Sequence, residues 1–254
     1  MALLETRGLT VRFGGNLAVS DVNLAVESGR VTGLIGPNGA GKTTTFNMIS
    51  GVLTPTAGRV VLDGNDVSKV GTHKRARLGI GRTFQRLEVF SSLSVRENLL
   101  VGCEIRQAWA RRTPANRQLL APEGSDPDAG AEVELILDRL GLAEFADVNV
   151  GSLSTGRARL VELGRALAIR PRVLLLDEPA SGLDDHETEQ FGELLVQLAQ
   201  SGLAILMVEH DVPLVMKVCT QIYVLDFGQI IAEGTPAEVQ ANESVLNAYL
   251  GSAL

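Results

Sequence analysis

The chain lacks the marks of several broad protein classes. Its two cysteines, Cys103 and Cys219, lie far apart and without metal-ligand spacing, which points to buried or free thiols in a reducing compartment. No apolar run reaches the roughly 18 residues that a membrane span needs, so any spans must come from other chains. The opening MALLETRGLT has no basic region ahead of an apolar stretch, and no secretory signal is expected. Basic residues are not in excess: a net charge of −7 and a pI near 5.1 argue against a nucleic-acid partner. There is no internal repeat and no sustained heptad pattern. What remains is 254 residues, 45% hydrophobic and 21% charged, enough for a sizeable core as one large domain or a core plus a lobe.

Against that background one stretch stands out, VTGLIGPNGAGKTTTFNMIS at positions 31–50. An apolar strand meets a Gly-rich turn and then a helical segment. Gly36, Pro37, Asn38, Gly39, Ala40, Gly41, Lys42 and Thr43 fit G-x-x-x-x-G-K-[ST], the phosphate-binding loop of P-loop nucleotidases. Glycines let successive backbone N–H groups turn inward around a phosphate, and the helix opening near Gly41 aims its positive end at the same anion. Lys42 is placed to reach the β- and γ-phosphates, the Thr43 hydroxyl to ligate Mg²⁺, and Thr44 to join the phosphate cradle. A nucleoside triphosphate is the expected ligand.

Along the chain, positions 3–12 and 17–27 alternate in part around Gly14-Gly15-Asn16, which predicts an antiparallel hairpin. Thr54-Pro55-Thr56-Ala57-Gly58 breaks the chain before a strand at 59–62. His73-Lys74-Arg75-Ala76-Arg77 predicts a short, solvated basic helix, and residues 79–84 follow it. From 95 to 140 the pattern is helical, interrupted from Trp109 to Gly130 by Thr113-Pro114 and a polar run at 122–128. Part of that interruption reads as a flexible surface insertion, with Trp109 packed against its own lobe. Helices are predicted at 156–169, 185–200, 212–219 and from 244. Strands are predicted at 173–176, 204–208, 222–225 and 229–232. Continuous apolar strands alternating with helices imply an α/β core whose parallel strands are covered on both faces.

Val173–Asp177 and Glu178 form a buried strand ending in two carboxylates, at the end of the sheet where α/β proteins bind ligands. Asp177 suits the hydration shell of a phosphate-bound Mg²⁺, and Glu178 suits polarising the water that attacks the γ-phosphate. Taken alone, the pair is equally a solvated strand end. Leu153-Ser154-Thr155-Gly156-Arg157 precedes a helix with Ser154 as its N-cap, and capping by itself explains that serine.

The order of these motifs carries a resemblance. A phosphate loop, LSTGR in the place of an LSGGQ signature, LLLDEP, SGLD at 181–184 and an isolated histidine after the next strand resemble the ATP-binding subunit of ABC transporters over essentially the full length. The resemblance implies an ABC-type P-loop nucleotide-binding domain spanning 1–254. It has a RecA-like core, an antiparallel β-subdomain, a helical lobe at about 86–165 with an insertion at 104–130, and C-terminal helices at 235–254. It also implies that Phe13 stacks on adenine, although a core aromatic at the hairpin turn fits as well. Gln85 would approach Mg²⁺ and the attacking water, and His210 would contact the γ-phosphate. His73 and His186 match no motif. In this family two ATPase subunits close head to tail, so Ser154 and Gly156 of one complete the ATP site of the other, and Asp184 lines the seam. Two transmembrane permease subunits and an extracytoplasmic binding protein complete an importer, with the ATPase peripheral on the cytoplasmic face of the membrane. The signature departs from the usual pattern at Thr155 and Arg157, which puts an extra cation near the seam.

GRTFQ at 81–85, SVRENLLVG at 94–102, the insertion after it and the ending EGTPAEV…VLNAYLG resemble the longer ATPase of branched-chain amino acid importers. Urea importers and lipopolysaccharide-export ATPases share much of this pattern, the latter usually without the insertion. A soluble ABC ATPase acting on ribosomes or DNA is disfavoured by the single domain and acidic balance. A non-hydrolysing nucleotide sensor is disfavoured by the intact set of Lys42, Asp177, Glu178 and His210.

Overall fold

The computed structural model describes residues 2–112 and 128–251. Strands β1 (Ala2–Phe13) and β2 (Asn16–Glu27) form the expected hairpin across Gly14 and Gly15, with Gly14 at φ 58°. On the other edge of β1, β4 (Ala57–Leu62) pairs antiparallel, followed by the short β5 (Asn65–Asp66). The order of this four-stranded sheet is β2-β1-β4-β5.

A second sheet has the order β10-β9-β3-β8-β7-β6. It comprises β3 (Val31–Ile35), β6 (Ile80–Arg82), β7 (Val173–Asp177), β8 (Ala204–Val208), β9 (Gln221–Asp226) and β10 (Gln229–Gly234). Pairings from β6 through β9 are parallel, and β10 is antiparallel to β9. Every residue of β3, β7 and β8 is buried, as continuous apolar strands demand when both faces are covered. Val173 and Leu175 face the cluster that also holds Leu4, Val19 and Phe46, whereas Leu174 and Leu176 face the cluster built by the helices.

Nine α-helices are present among the described residues. They are α1 (Lys42–Ser50), α2 (Thr72–Arg77), α3 (Val95–Arg112), α4 (Ala129–Arg139), α5 (Thr155–Ala168), α6 (Asp185–Gln200), α7 (Val212–Val218), α8 (Pro236–Gln240) and α9 (Glu243–Gly251). Helices α3, α4 and α5 share Leu99, Cys103, Val133, Leu137 and Val161 in one apolar cluster. Arg106, fully buried on α3, pairs with Glu132 of α4, and Glu132 also accepts from Arg170 Nε at 2.7 Å. No described helix is long and apolar enough to cross a membrane. Cys103 and Cys219 are both buried, and burial pushes the Cys219 thiol up to about 12.

Two sequence expectations need correction. The basic segment does form α2, but it is not simply a solvated face. Arg75 is buried and donates to the carbonyls of Met48 (2.6 Å), Ile49 (2.6 Å), Ser68 (3.0 Å) and Val70 (2.7 Å). A guanidinium fork thus satisfies the open carbonyls at the C-terminal end of α1. The helical pattern also runs past Trp109 to Arg112, and the Trp109 ring lies 5.6 Å from the guanidinium of Arg77 on α2. Thr113-Pro114 and most of the expected insertion lie outside the described residues.

Candidate active site

The turn after β3 is built for close backbone approach. Gly36 has φ 148°, and a Cβ there would overlap the carbonyl oxygen of Leu225. Gly41, at φ 105°, is the N-cap of α1 and takes a conformation that a side chain would strain. Downstream, Ala40 O accepts from Gly228 N at 2.9 Å, so the β9–β10 turn braces the loop from behind. Lys42 opens α1, is buried, and donates from Nζ to Gly36 O (2.7 Å) and Pro37 O (2.9 Å). Burial lowers its pKa, against the opposing pull of Glu178 and Asp177. A pocket of about 470 Å³ is lined by Asn16, Leu17, Ala18, Asn38, Gly39, Ala40, Gly41, Lys42, Thr43, Thr44, Glu178, His210 and Phe227. Backbone amides at a helix start and a buried ammonium make this a seat for a polyphosphate. The Thr43 hydroxyl and the nearby carboxylates are oxygen donors of the kind Mg²⁺ prefers while it keeps most of its waters, so the residues present fit that ion.

At the end of β7, Asp177 is buried and its Oδ2 accepts from Arg82 Nη2 at 2.9 Å. Arg82 Nη1 in turn donates to Asn47 Oδ1 (2.8 Å) and Ser50 Oγ (2.9 Å) on α1, tying that strand end to the phosphate-loop helix. Glu178 sits at φ 50°, a backbone conformation uncommon for a side-chain-bearing residue, and its N–H donates to Val208 O at 2.8 Å. From that position its carboxylate meets two partners. Oε1 lies 2.7 Å from His210 Nε2, and Oε2 accepts from Gln85 Nε2 at 2.8 Å. The structure therefore joins Gln85, Glu178 and His210, which lie 93 and 32 positions apart in sequence.

Sequence reasoning missed two residues here. Glu209 is buried and accepts from Ala180 N (2.8 Å), His210 N (2.7 Å) and Asp211 N (3.2 Å), so it fixes the turn that carries His210. Phe227, 90% exposed and at φ 42°, lines the phosphate pocket, whereas Phe13, 51% exposed at the end of β1, is not among its lining residues. An aromatic residue before Gly228 in a two-residue turn was the only sequence signal for Phe227.

Ser154, Gly156 and Asp184 lie apart from this pocket. Ser154 caps α5, accepting from Arg157 N at 3.4 Å. Gly156 abuts the carboxylate of Glu187, which a Cβ at that position would displace. Asp184 caps α6 and accepts from Glu187 N at 2.8 Å, while Glu187 Oε2 accepts from Asp184 N at 3.2 Å, a reciprocal capping box. Arg157 stacks over the Phe145 ring, its guanidinium 4.1 Å from the ring centre, so this cation is held against its own chain.

The chain is similar to known proteins along nearly its whole length. The family described as ABC transporter matches residues 19–181, and the family described as branched-chain amino acid ATP-binding cassette transporter matches residues 229–254. The chain is 41% identical over 257 aligned residues to the high-affinity branched-chain amino acid transport ATP-binding protein BraF of Pseudomonas aeruginosa, covering 99% of this chain and 98% of that protein. It is 38% identical to the lipopolysaccharide export system ATP-binding protein LptB of Haemophilus influenzae, again covering 99% and 98%. Among solved structures, an ATP-binding cassette of an ABC transporter in its ADP conformation superposes with a TM-score of 0.84 at 32% identity, covering 99% of each chain.

Proposed function

Because the chain belongs to the ATP-binding cassette family of ABC transporters, we propose that it is the ATP-hydrolysing subunit of an importer for branched-chain or other hydrophobic amino acids. The observation that carries this reading is the full-length similarity to BraF together with the branched-chain family match over 229–254.

In this reading the amides of residues 36–44 and the Lys42 ammonium hold the phosphates of ATP. Thr43, Asp177 and Gln85 would hold a hydrated Mg²⁺, and the ion would supply positive charge against the phosphates. Glu178 polarises the attacking water, Gln85 orients it, and His210 steadies Glu178 and meets the γ-phosphate. Phe13 stacks on the base. The half-site of one chain leaves the γ-phosphate partly wet. A second ATPase subunit packed head to tail adds donors from the capped start of its α5, with Ser154 and Gly156 as contacts and Asp184 at the seam. Hydrolysis removes the γ-phosphate that bridges the halves, and their opening drives two permease subunits supplied by an extracytoplasmic binding protein. The subunit works on the cytoplasmic face of the membrane, as one unit with a lobe at about 86–165.

The similarity to LptB supports a second reading, lipopolysaccharide export. Uptake of radiolabelled leucine, isoleucine and valine separates the two, in cells lacking this subunit and complemented with wild type or Glu178→Gln. Restored uptake with wild type alone is expected. Unchanged uptake on deletion, with no redundant system present, overturns the cargo assignment and directs attention to lipid export.

A further inference from the structure

The Gln85 side chain reaches Glu178 from an exposed segment, yet the backbone of that segment is gripped by one face of α5. Arg159 donates from Nη1 to Phe84 O at 3.2 Å and from Nη2 to Gln85 O at 2.9 Å. Glu162 Oε1 accepts from Phe84 N and from Glu88 N, each at 3.3 Å. Arg165 donates to Glu88 O. Positions 159, 162 and 165 follow one another at helical i, i+3 spacing, so they form a polar ridge along the helix.

Arg159 and Glu162 are 7% and 5% exposed and pair with each other at 3.3 Å. Burying two charges costs more than an apolar pair of the same volume would, and here burial raises the Glu162 pKa. What the pair contributes is geometric: it takes up both carbonyls and two amides of a loop that has no strand or helix of its own to hold it. The same helix begins at the Ser154 cap. A continuous line of hydrogen bonds therefore runs from α5 through Arg159 and Glu162 to the backbone at 84–88, and through the Gln85 side chain to Glu178.

We propose that Arg159 and Glu162 are positioning residues that fix the Gln85 loop to α5, so that Gln85 meets Glu178 only while α5 and its Ser154 turn are in place. This rests on the role assigned to Gln85 under the proposed function. It gives the contact of Ser154 with the second subunit's nucleotide a direct route to the water-orienting side chain.

Two measurements on the purified full chain test it. The first is a double-mutant cycle in ATP hydrolysis, with binding of a fluorescent ATP analogue in parallel. Arg159→Met is expected to lower kcat about tenfold with affinity kept within about twofold, and to cost nothing further in a Gln85→Ala background. Losses that multiply, or an Arg159→Met variant with wild-type kcat, overturn the proposal. Should Arg159→Met fail to fold, Arg159→Lys keeps the charge but cannot bridge both carbonyls, and a partial loss with the same non-additivity is expected. The second measurement is amide hydrogen exchange. Glu162→Met is expected to speed exchange at Phe84 and Glu88 while leaving the β7 amides unchanged, and unaltered exchange at 84–88 overturns the clamp. Should Gln85→Ala leave kcat intact, the role given to Gln85 fails, and the exchange result still decides whether the clamp exists.

Discussion

His210 Nε2 lies 2.7 Å from Glu178 Oε1, joining the ends of two adjacent parallel strands at the mouth of the phosphate pocket. The contact holds the carboxylate between a ring nitrogen on one side and the Gln85 amide on the other. His210→Ala removes one of these supports. The expected result is a fall in kcat of about 10²-fold with nucleotide affinity nearly unchanged, measured by steady-state hydrolysis and analogue binding.

Arg75 stabilises the end of α1. Burial lowers its guanidinium pKa to about 10, against the opposing effect of Asp66, so it is charged at neutral pH and all its carbonyl contacts are charge-assisted. Arg75→Met leaves Met48 O and Ile49 O without this donor. A loss of about 3 kcal/mol is expected from the shift in urea midpoint at unchanged slope, with Arg75→Lys intermediate.

Arg82 and Asp177 form a mostly buried ion pair, 10% and 5% exposed, that also reaches Asn47 and Ser50. Removing one partner strands the other. Arg82→Met and Asp177→Asn are each expected to destabilise by about 3 kcal/mol, and the double variant by clearly less than the sum. Full additivity in denaturant unfolding would show that the pair is not coupled.

Cys219 is buried and its thiol is pushed up to about 12, and Cys103 is fully buried. A raised thiol pKa means that almost no thiolate exists near pH 8. Neither cysteine is expected to react with a thiol reagent in the native protein on the timescale of minutes, and both should react at once in denaturant.

Local features were legible in the sequence, and long-range ones were not. The phosphate loop could be read because its glycines and Lys42 sit within eight residues and each answers a local backbone demand. Strands β3, β7 and β8 could be read because burial on both faces leaves an unbroken apolar run. Arg75 looked like part of a solvated basic run because its carbonyl partners on α1 lie 26 and 27 positions upstream. Glu209 gave no signal for the same reason, since its bond to Ala180 N spans 29 positions. In the sequence Trp109 reads as the edge of a helix break. Its ring instead meets Arg77 across the gap between α3 and α2, a pairing that no periodicity along α3 records.

The proposed function depends above all on Glu178 activating the water that splits ATP beside Lys42. Its most direct test is single-turnover hydrolysis of radiolabelled ATP by an excess of wild type or Glu178→Gln, with analogue binding measured on both. Equal binding is expected, with hydrolysis at least about 10²-fold slower in the variant. Equal rates of hydrolysis would remove Glu178 from the chemical step.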